Sequence, residues 1–201
     1  MAKAFDEKEK TAIRAALMSA GLKRFDREGV RGTRIDDICR DVGIAKGSFY
    51  AFFPSKEEMF MAIVEEREAQ HKADMLGFID TEKGSASKRA AGFYDLILQK
   101  METDPVLKLV LAHGEIPHLV RKLGPERFEA GHRADREFAM EAAKRWAAGG
   151  DRKIDPKDLI GLMTITLSVA VQRSQMTPEQ YQPTVALLRE LFVSRLAGAQ
   201  Q

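Results

Sequence analysis

A lysine and a tyrosine lie four residues apart in the segment GIAKGSFYAFFPSKEEMF, which covers residues 43–60. Residues at this spacing share one face of a helix, so Lys46 and Tyr50 are expected side by side. Two small residues, Gly47 and Ala51, lie next to them. Ammonium and hydroxyl groups donate hydrogen bonds to phosphate oxygens, and small residues let a helix backbone approach a groove closely. The combination favours contact with the backbone of a nucleic acid.

A second cationic group follows at Lys56, and Ser48 adds a hydroxyl group to the segment. The run Ser55-Lys56-Glu57-Glu58 predicts a capping box at the start of a further helix, because a serine is followed three residues later by a glutamate. The first turn of a helix exposes N–H groups that attract anions, and the charge of Lys56 adds to them. The sequence therefore predicts a phosphate-binding site at this helix start.

Three predicted helices position these residues. The first covers about 7–28 and has one apolar stripe, and Thr33 is predicted to cap the second. Gly43 follows the second helix, where a residue in the left-handed conformation is needed. The third begins near Ala45. Two short helices joined through a glycine and packed on a longer one predict a helix-turn-helix at about 33–53.

The phenylalanines of the segment are interpreted as core residues. Phe49 and Phe53 are four residues apart and point with Ile44 into the small core between the helices. Cys39 lies on the apolar stripe of the second helix, so we interpret it as core rather than as a redox sensor.

Residues about 10–60 resemble the DNA-binding domain of the TetR (tetracycline repressor) family of bacterial transcription regulators. The resemblance is carried by the runs GIAKGSFY and FPSKEEMF and by the pattern T.IDDI before them. It implies a homodimer that binds double-stranded operator DNA as a repressor, with a variable C-terminal domain whose small-molecule effector releases the DNA. The residues implied to contact DNA are Thr33, Arg34, Ala45, Lys46, Gly47, Ser48, Tyr50, Phe52 and Lys56.

Three positions depart from the family's pattern. Serine or threonine is common where Ala45 stands, so the third helix lacks a capping side chain, at a cost of about 0.5–2 kcal/mol. Ala51 and Phe52 stand where tyrosine and histidine are common. Phe52 either contacts a thymine methyl group or joins the core with Phe49 and Phe53, and the sequence does not choose between these roles.

The composition of the chain limits the classes of protein to which it can belong. Its 201 residues are 44% hydrophobic, enough for one sizeable core or two small ones. The net charge is only +2, so a nucleic-acid site depends on local placement of basic residues. The longest apolar stretch, 159–171, is too short to span a bilayer, and the N-terminus lacks the apolar region of a signal peptide. With one cysteine, the chain fits a reducing compartment, and we expect a cytoplasmic protein with no membrane partner.

Helical periodicity recurs along the chain, and alternating strand patterns of useful length are lacking in the sequence. The sequence predicts an all-α fold of about nine helices. Two of the helix starts are marked by a capping residue before a proline, at Asp155 and at Thr177. We expect a three-helix DNA-binding domain over residues 1–60 and an effector-binding and dimerisation domain over residues 61–201.

The two C-terminal helices are predicted to form the interface of a homodimer. Residues 158–171 are apolar nearly all round, which is typical of a helix buried on all sides, yet little of the chain remains to cover them. The last helix, about 178–197, adds another apolar stripe. A four-helix interface with a second copy would cover both helices. The expected interface residues are Leu159, Leu162, Met163, Leu167, Leu188, Leu191 and Phe192.

The region between about 85 and 150 is rich in aromatic residues and methionines, Met140 among them. These side chains either line a pocket for a small, largely apolar effector or form plain core, and residue by residue core is favoured. His113, His118 or Arg121 could supply one polar anchor for a ligand. The pocket residues expected are Phe93, Leu96, Met101, His113, Phe138 and Trp146.

The sequence shows no pattern typical of catalysis or of a metal site. Its four histidines lack metal-ligand spacing, and there is no phosphate-binding glycine loop or nucleophile elbow. We therefore expect a protein that is not an enzyme and that holds no cofactor. The alternatives are a constitutive DNA-binding protein without an effector, or an all-helical small-molecule-binding protein or enzyme. The last alternative would leave Lys46, Tyr50 and Lys56 unexplained.

Overall fold

Helices make up all the regular secondary structure in a computed structural model of the protein, which describes residues 6–112, 115–149 and 153–198. The all-α prediction is confirmed, with ten α-helices in these ranges where the sequence predicts about nine. None of the described helices combines the length with the apolar character that a bilayer crossing requires. In chain order they are α1 (Glu7–Gly32), α2 (Ile35–Val42), α3 (Lys46–Phe49), α4 (Lys56–Thr81), α5 (Ala86–Thr103), α6 (Pro105–Ala112), α7 (Glu115–Leu123), α8 (Glu126–Ala148), α9 (Pro156–Val171) and α10 (Pro178–Ala197), with a 3-10 turn at Gln172–Gln175.

The predicted capping residues begin α9 and α10. Asp155 accepts a hydrogen bond from the backbone N–H of Lys157 at 2.9 Å, which satisfies a donor in the first turn of α9. Thr177 begins α10 with a reciprocal capping box, in which the side chain of Gln180 accepts from the N–H of Thr177 at 3.0 Å. Both helix starts are therefore confirmed where the sequence predicts them.

A kink at Gly29 interrupts α1. Gly29 has a φ of 68° and a ψ of 166°, outside the helical region, in agreement with the predicted end of the first helix at residue 28. A positive φ of this size favours glycine, because a side chain would be strained there. The chain then makes one more short helical turn and reaches α2 at Ile35. We call residues 29–34 the entry turn, since they lead from α1 into α2.

The chain divides into two compact units. The first comprises Met1–Arg67 and Leu109–Arg127, and the second comprises Glu68–Lys108 and Phe128–Gln201. This division differs from the predicted boundary at residue 60, because α7 packs against α1 within the first unit. Which unit carries which function stays a prediction.

Aromatic side chains form the centre of the second unit. The ring centroid of Phe93 lies 5.8 Å from that of Trp146 and 6.1 Å from that of Phe192. Tyr94 packs on Phe192 at 5.4 Å, and its hydroxyl group donates to the carbonyl oxygen of Val185 at 2.9 Å. Ring packing and this hydrogen bond together fix α10 against α5.

The chain itself covers only one side of α9, so its burial on all sides by a second copy stays a prediction. Leu159 and Leu162 pack into the core of the second unit, with 2% and 8% of their surface exposed, whereas Thr164 and Leu167 are exposed. Phe192 of α10 is fully buried in the same core. Because their own chain covers Leu159, Leu162 and Phe192, these three predicted interface residues are not available to a second copy.

Candidate nucleic-acid interface

A tight turn at Gly43 joins α2 to α3. Gly43 has the left-handed φ of 76° and ψ of 30°, and its N–H donates to the carbonyl of Arg40. The N–H of Ile44 donates to the carbonyl of Cys39 at 3.0 Å and closes the end of α2. The predicted role of Gly43 is confirmed, since a residue with a side chain is strained in this conformation.

Packing and an ion pair fix α2 against α1. Ile38 is fully buried and Cys39 is 2% exposed. Burial raises the pKa of the Cys39 thiol, which keeps the group neutral. On the outside, Arg24 makes two hydrogen bonds to Asp41, at 2.7 and 2.8 Å, and these lower the pKa of that carboxyl group. Helix α2 is therefore held by core packing on one side and by the ion pair on the other, with Cys39 in the core.

The core anchors α3 through two phenylalanines. Phe49 is fully buried and Phe53 is 3% exposed, with 5.9 Å between their ring centroids. The α-helix is shorter than the sequence predicts, because the N–H of Phe52 donates to the carbonyl of Phe49 at 2.9 Å in a tighter turn. Ala45 precedes α3 without a capping side chain, as predicted. Phe52 is half-buried, so its contact with a thymine methyl group stays a prediction.

The other side of α3 is open. Tyr50 is 52% exposed, and Lys46, Gly47 and Ala51 are exposed beside it. A Cβ atom added at Gly47 would meet no atom of the described part of the chain within 4 Å. Packing within the chain therefore does not require glycine at this position, whereas close approach of a partner would. Ser48 is half-buried at the edge of this face.

The basic residues around α2 and α3 differ in their partners. Nζ of Lys46 lies 3.0 Å from Oδ2 of Asp36, and this hydrogen bond raises the pKa of Lys46. Both side chains are exposed, so the pair is weak and can be exchanged for a phosphate contact. Arg31 and Arg34 are exposed, and neither pairs with a carboxylate of the described chain. Arg31 is absent from the predicted set, although its place in the run GVRGT between two helices signals it.

Thr33 does not cap α2, although the sequence predicts this role. Its side chain is 1% exposed, and its hydroxyl group donates back to the carbonyl of Gly29 at 2.8 Å. Arg34 precedes α2 as the N-cap residue, and it makes no capping hydrogen bond with its side chain. The capping role is wrong for Thr33, and the buried side chain is not available to DNA, because its hydroxyl group is directed to the carbonyl oxygen of Gly29, which also accepts the N–H of Thr33 at 3.2 Å.

Lys56 binds the entry turn. Its Nζ donates to the carbonyl oxygens of Arg31 at 2.9 Å and of Thr33 at 2.7 Å. An ammonium group has three N–H donors, so two of the three are used inside the protein. The predicted phosphate contact of Lys56 stays a prediction, and the structure assigns the residue a second role that the sequence does not reveal.

The capping box predicted at the start of α4 is only half present. Oγ of Ser55 accepts a hydrogen bond from the N–H of Glu58 at 3.1 Å, as expected. The carboxylate of Glu58 does not return to Ser55 but accepts from Nε of Arg127 at 2.9 Å. Sequence spacing predicts the local bond correctly, but it does not reveal a partner that lies 69 residues away.

Two of the predicted polar anchors of an effector, His118 and Arg121, lie in the first unit. His118 belongs to the first unit, where its Nε2 lies 3.3 Å from Oε1 of Glu57. Arg121 is exposed in the same unit. His113 lies outside the described residues. A role of His118 or Arg121 as the anchor of a ligand stays a prediction.

The predicted pocket residues form part of the core of the second unit. Phe93, Phe138 and Trp146 are buried, with no more than 6% of their surface exposed. Leu96 and Met101 are partly buried and pack against the same cluster. Met140 is 55% exposed, so it does not line the interior. Within the described ranges, no three histidine, cysteine, aspartate or glutamate side chains are grouped to hold a metal ion.

A sequence match links the helix-turn-helix segment to a known family. Residues 17–63, which contain α2 and α3, match the family described as bacterial regulatory proteins, tetR family. This stretch therefore carries the sequence signature of the TetR family. RutR of Escherichia coli (strain K12), an HTH-type transcriptional regulator, is 35% identical over 54 residues, which are 27% of this chain and 26% of RutR. The matches span 18% to 26% of the length of the curated relatives.

Solved structures share the fold over almost the whole chain. A TetR-family regulator from Pectobacterium atrosepticum matches with a TM-score of 0.71 at 19% identity, over 98% of this chain and 100% of that one. FadR from Bacillus subtilis, in complex with stearoyl-CoA, matches with a TM-score of 0.58 at 17% identity, over 90% of this chain and 97% of that one. The predicted all-α architecture is confirmed, with an N-terminal helix-turn-helix and a helical C-terminal part.

Proposed function

We propose that this chain is a DNA-binding transcriptional regulator of the TetR family that represses from a palindromic operator. The observation that supports this most directly is the two-sided character of α3. Phe49 and Phe53 are buried behind the helix, while Lys46, Gly47 and Tyr50 form an open face. A helix that is anchored through its core side holds the opposite side in a fixed position. A fixed position is needed to read base edges in the major groove.

The entry turn and α3 together supply the phosphate contacts in this proposal. Arg31 and Arg34 are exposed cations without a carboxylate partner in the described chain, so binding a phosphate does not require breaking an ion pair. Lys46 would exchange Asp36 for a phosphate, and the hydroxyl group of Tyr50 can donate to another. Phosphate contacts of this kind fix the register of α3 on the duplex.

We also propose a homodimer formed through α9 and α10. Leu167 and Val171 are four residues apart on α9 and expose 38% and 36% of their surface. Leu187 and Leu191 have the same spacing on α10 and expose 65% and 49%. Large apolar side chains exposed together mark interaction surfaces, and a two-fold dimer would match a palindrome. The proposed interface is Met163, Leu167, Val171, Leu187, Leu188 and Leu191.

The proposed effector is a small, largely apolar molecule that binds the second unit. FadR of Bacillus subtilis, which has the same fold, is in complex with stearoyl-CoA. In the present chain Phe93, Phe138 and Trp146 are packed together, so a ligand that binds between them would have to displace these side chains. The proposed pocket residues remain those expected from the sequence.

The packing of these three side chains favours a second candidate function, a DNA-binding protein that responds to no effector. A ligand that enters between packed side chains gains its space only at a cost in packing energy. Thermal-shift screening against a library of hydrophobic compounds separates the two candidates. A saturable rise in melting temperature supports the effector, and the absence of any rise across the library supports the constitutive protein.

We further infer that the chain is not an enzyme and acts in the cytoplasm, since its TetR-family relatives are transcriptional regulators. In this proposal, residues 1–60 bind DNA and residues 61–201 carry the effector site and the dimer interface. Within the first unit, residues 109–127 are packed with the DNA-binding helices and would support them.

Selection of bound duplexes from a random DNA pool tests the proposed function. We expect the recovered sequences to share a palindrome, because a two-fold dimer binds two identical half-sites. A matched selection with Lys46 and Tyr50 both changed to alanine should recover no shared sequence. If the wild-type protein enriches nothing over the input pool, or if the double variant recovers the same sequences, the proposal is wrong.

A further inference from the structure

The entry turn is held from two sides by residues that are distant in sequence. On one side, Lys56 binds two of its carbonyl groups. On the other side, Oε1 of Glu115 accepts a hydrogen bond from the N–H of Val30 at 2.9 Å. The second bond reaches from the first residue of α7 to a position 85 residues earlier in the chain.

The kink at Gly29 explains why Val30 needs this partner. The non-helical angles of Gly29 turn the next N–H out of the regular hydrogen-bond pattern of α1. Val30 is fully buried, so water does not replace the lost bond, and an unpaired buried N–H is costly. A Cβ atom at Gly29 would lie only 2.8 Å from Oε1 of Glu115. The carboxylate therefore rests directly against the kink.

The helix that carries Glu115 is fixed to the same unit at further points. His118, one turn along α7, lies 3.3 Å from the carboxylate of Glu57. Arg127 binds Glu58 at 2.9 Å and also binds a second carboxylate of α4. Glu115 itself is 2% exposed. Its carboxylate is thus presented by an anchored segment rather than by a free surface helix.

We propose that Glu115 is a positioning residue for DNA binding, which acts by holding the entry turn through the N–H of Val30. The turn carries Arg31 and Arg34, two exposed cations that have no carboxylate partner in the described chain. With the bond, the backbone that carries both guanidinium groups is fixed before DNA binds. Without it, the backbone moves, and ordering the turn on DNA costs free energy. This inference rests on the proposed DNA-binding function.

Only one oxygen of the carboxylate is used. Oε2 of Glu115 is buried and has no hydrogen-bond partner in the described part of the chain. The role therefore requires one acceptor oxygen at the position of Oε1, and it does not require a negative charge. A glutamine at this position keeps that acceptor, whereas alanine and leucine remove it.

Amide hydrogen exchange at Val30 measures the bond itself. We expect Glu115→Ala to accelerate exchange of this amide about tenfold, because the hydrogen bond that protects it is lost. Glu115→Gln should stay within about threefold of wild type. Glu126→Ala is the matched control, since Glu126 is an exposed carboxylate of the same segment. Unchanged exchange in Glu115→Ala, or equal acceleration in Glu115→Gln, would overturn the role.

Affinity for the selected duplex, measured by fluorescence anisotropy, tests the consequence. Glu115→Ala should bind about tenfold more weakly, while Glu115→Gln and Glu126→Ala stay within about threefold of wild type. If Glu115→Ala does not fold, Glu115→Leu replaces it, because leucine fills the space without an acceptor. A wild-type protein that binds no duplex would refute the proposed function, and exchange at Val30 would still decide whether Glu115 holds the turn. A wild-type protein that binds, with no loss in Glu115→Ala, would refute the positioning role alone.

Discussion

The ammonium nitrogen of Lys56 lies 2.7 Å from the carbonyl oxygen of Thr33, inside the turn that leads into the helix-turn-helix. The contact joins the first turn of α4 to the backbone just before α2. Lys56 and Thr33, which are both predicted to bind DNA, therefore bind each other, and the side chain of Thr33 is buried. The relationship indicates that some basic residues of this surface hold the fold, while others are free to bind phosphate.

Lys56 is expected to act mainly on the entry turn. Lys56→Ala removes two hydrogen bonds to backbone carbonyls, so we expect a loss of about 1 kcal/mol in the free energy of unfolding. Chemical denaturation measures this loss. In a salt series of DNA binding, the slope should stay the same. A slope that falls by about one with unchanged stability would instead show a direct phosphate contact, as the sequence predicts.

Gly47 is expected to serve DNA binding rather than the fold. Gly47→Ala should raise stability by up to about 1 kcal/mol, because alanine favours a helix and no neighbour in the described chain is close enough to clash. The same change should weaken binding of the selected duplex by tenfold or more, since the added methyl group would lie between α3 and the groove.

Gly131→Ala is the matched control for Gly47. Gly131 also lies in a helix, with no atom of the described chain near its missing Cβ. We expect the same gain in stability and unchanged DNA affinity. If Gly47→Ala binds DNA as well as Gly131→Ala does, the open face of α3 is not the reading surface.

Arg31 and Arg34 are expected to contact phosphates. Alanine at either position should lower the salt dependence of DNA binding by about one unit, because each cation releases about one counterion on binding. Arg40→Ala is the control, as Arg40 is exposed nearby but pairs with Asp37 at 2.8 Å. Anisotropy titrations at several salt concentrations give the slopes. Equal slopes for all three variants and wild type would refute the assignment.

The exposed leucines of α10 are expected to hold the dimer together. Leu191→Glu should give a folded monomer, because a charge would be buried in an apolar contact while the core of each subunit is untouched. Leu167→Glu should act in the same way from α9. Met140→Glu is the control, since Met140 is 55% exposed on α8. Among the three variants, light scattering should report dimers only for Met140→Glu. Dimers for all three variants would exclude the proposed interface.

Local rules predict much of the candidate site from the sequence. The left-handed turn at Gly43 follows from the end of an apolar stripe, and the burial of Phe49 and Phe53 follows from their spacing. The caps at Asp155 and Thr177 are likewise decided by neighbours three residues away or fewer.

Long-range partners decide the features that the sequence does not predict. Thr33 looks like a cap, but its hydroxyl group donates to the carbonyl oxygen of Gly29. Glu115 holds a turn 85 residues away, and no local pattern marks it. The sequence predicts Leu159 and Phe192 at the dimer interface, because periodicity does not show which face of a helix the chain itself covers. In the structure both residues are buried by their own chain.

Chemical-shift mapping with the selected duplex tests the central claim that the open face of α3 contacts DNA. Backbone amide signals are recorded as the duplex is added to isotope-labelled protein. We predict the largest changes at Lys46, Gly47 and Tyr50, with a second group at Arg31 and Arg34 and little change along α9. Changes confined to other helices, or a duplex that binds without shifting the signals of α3, would contradict the account.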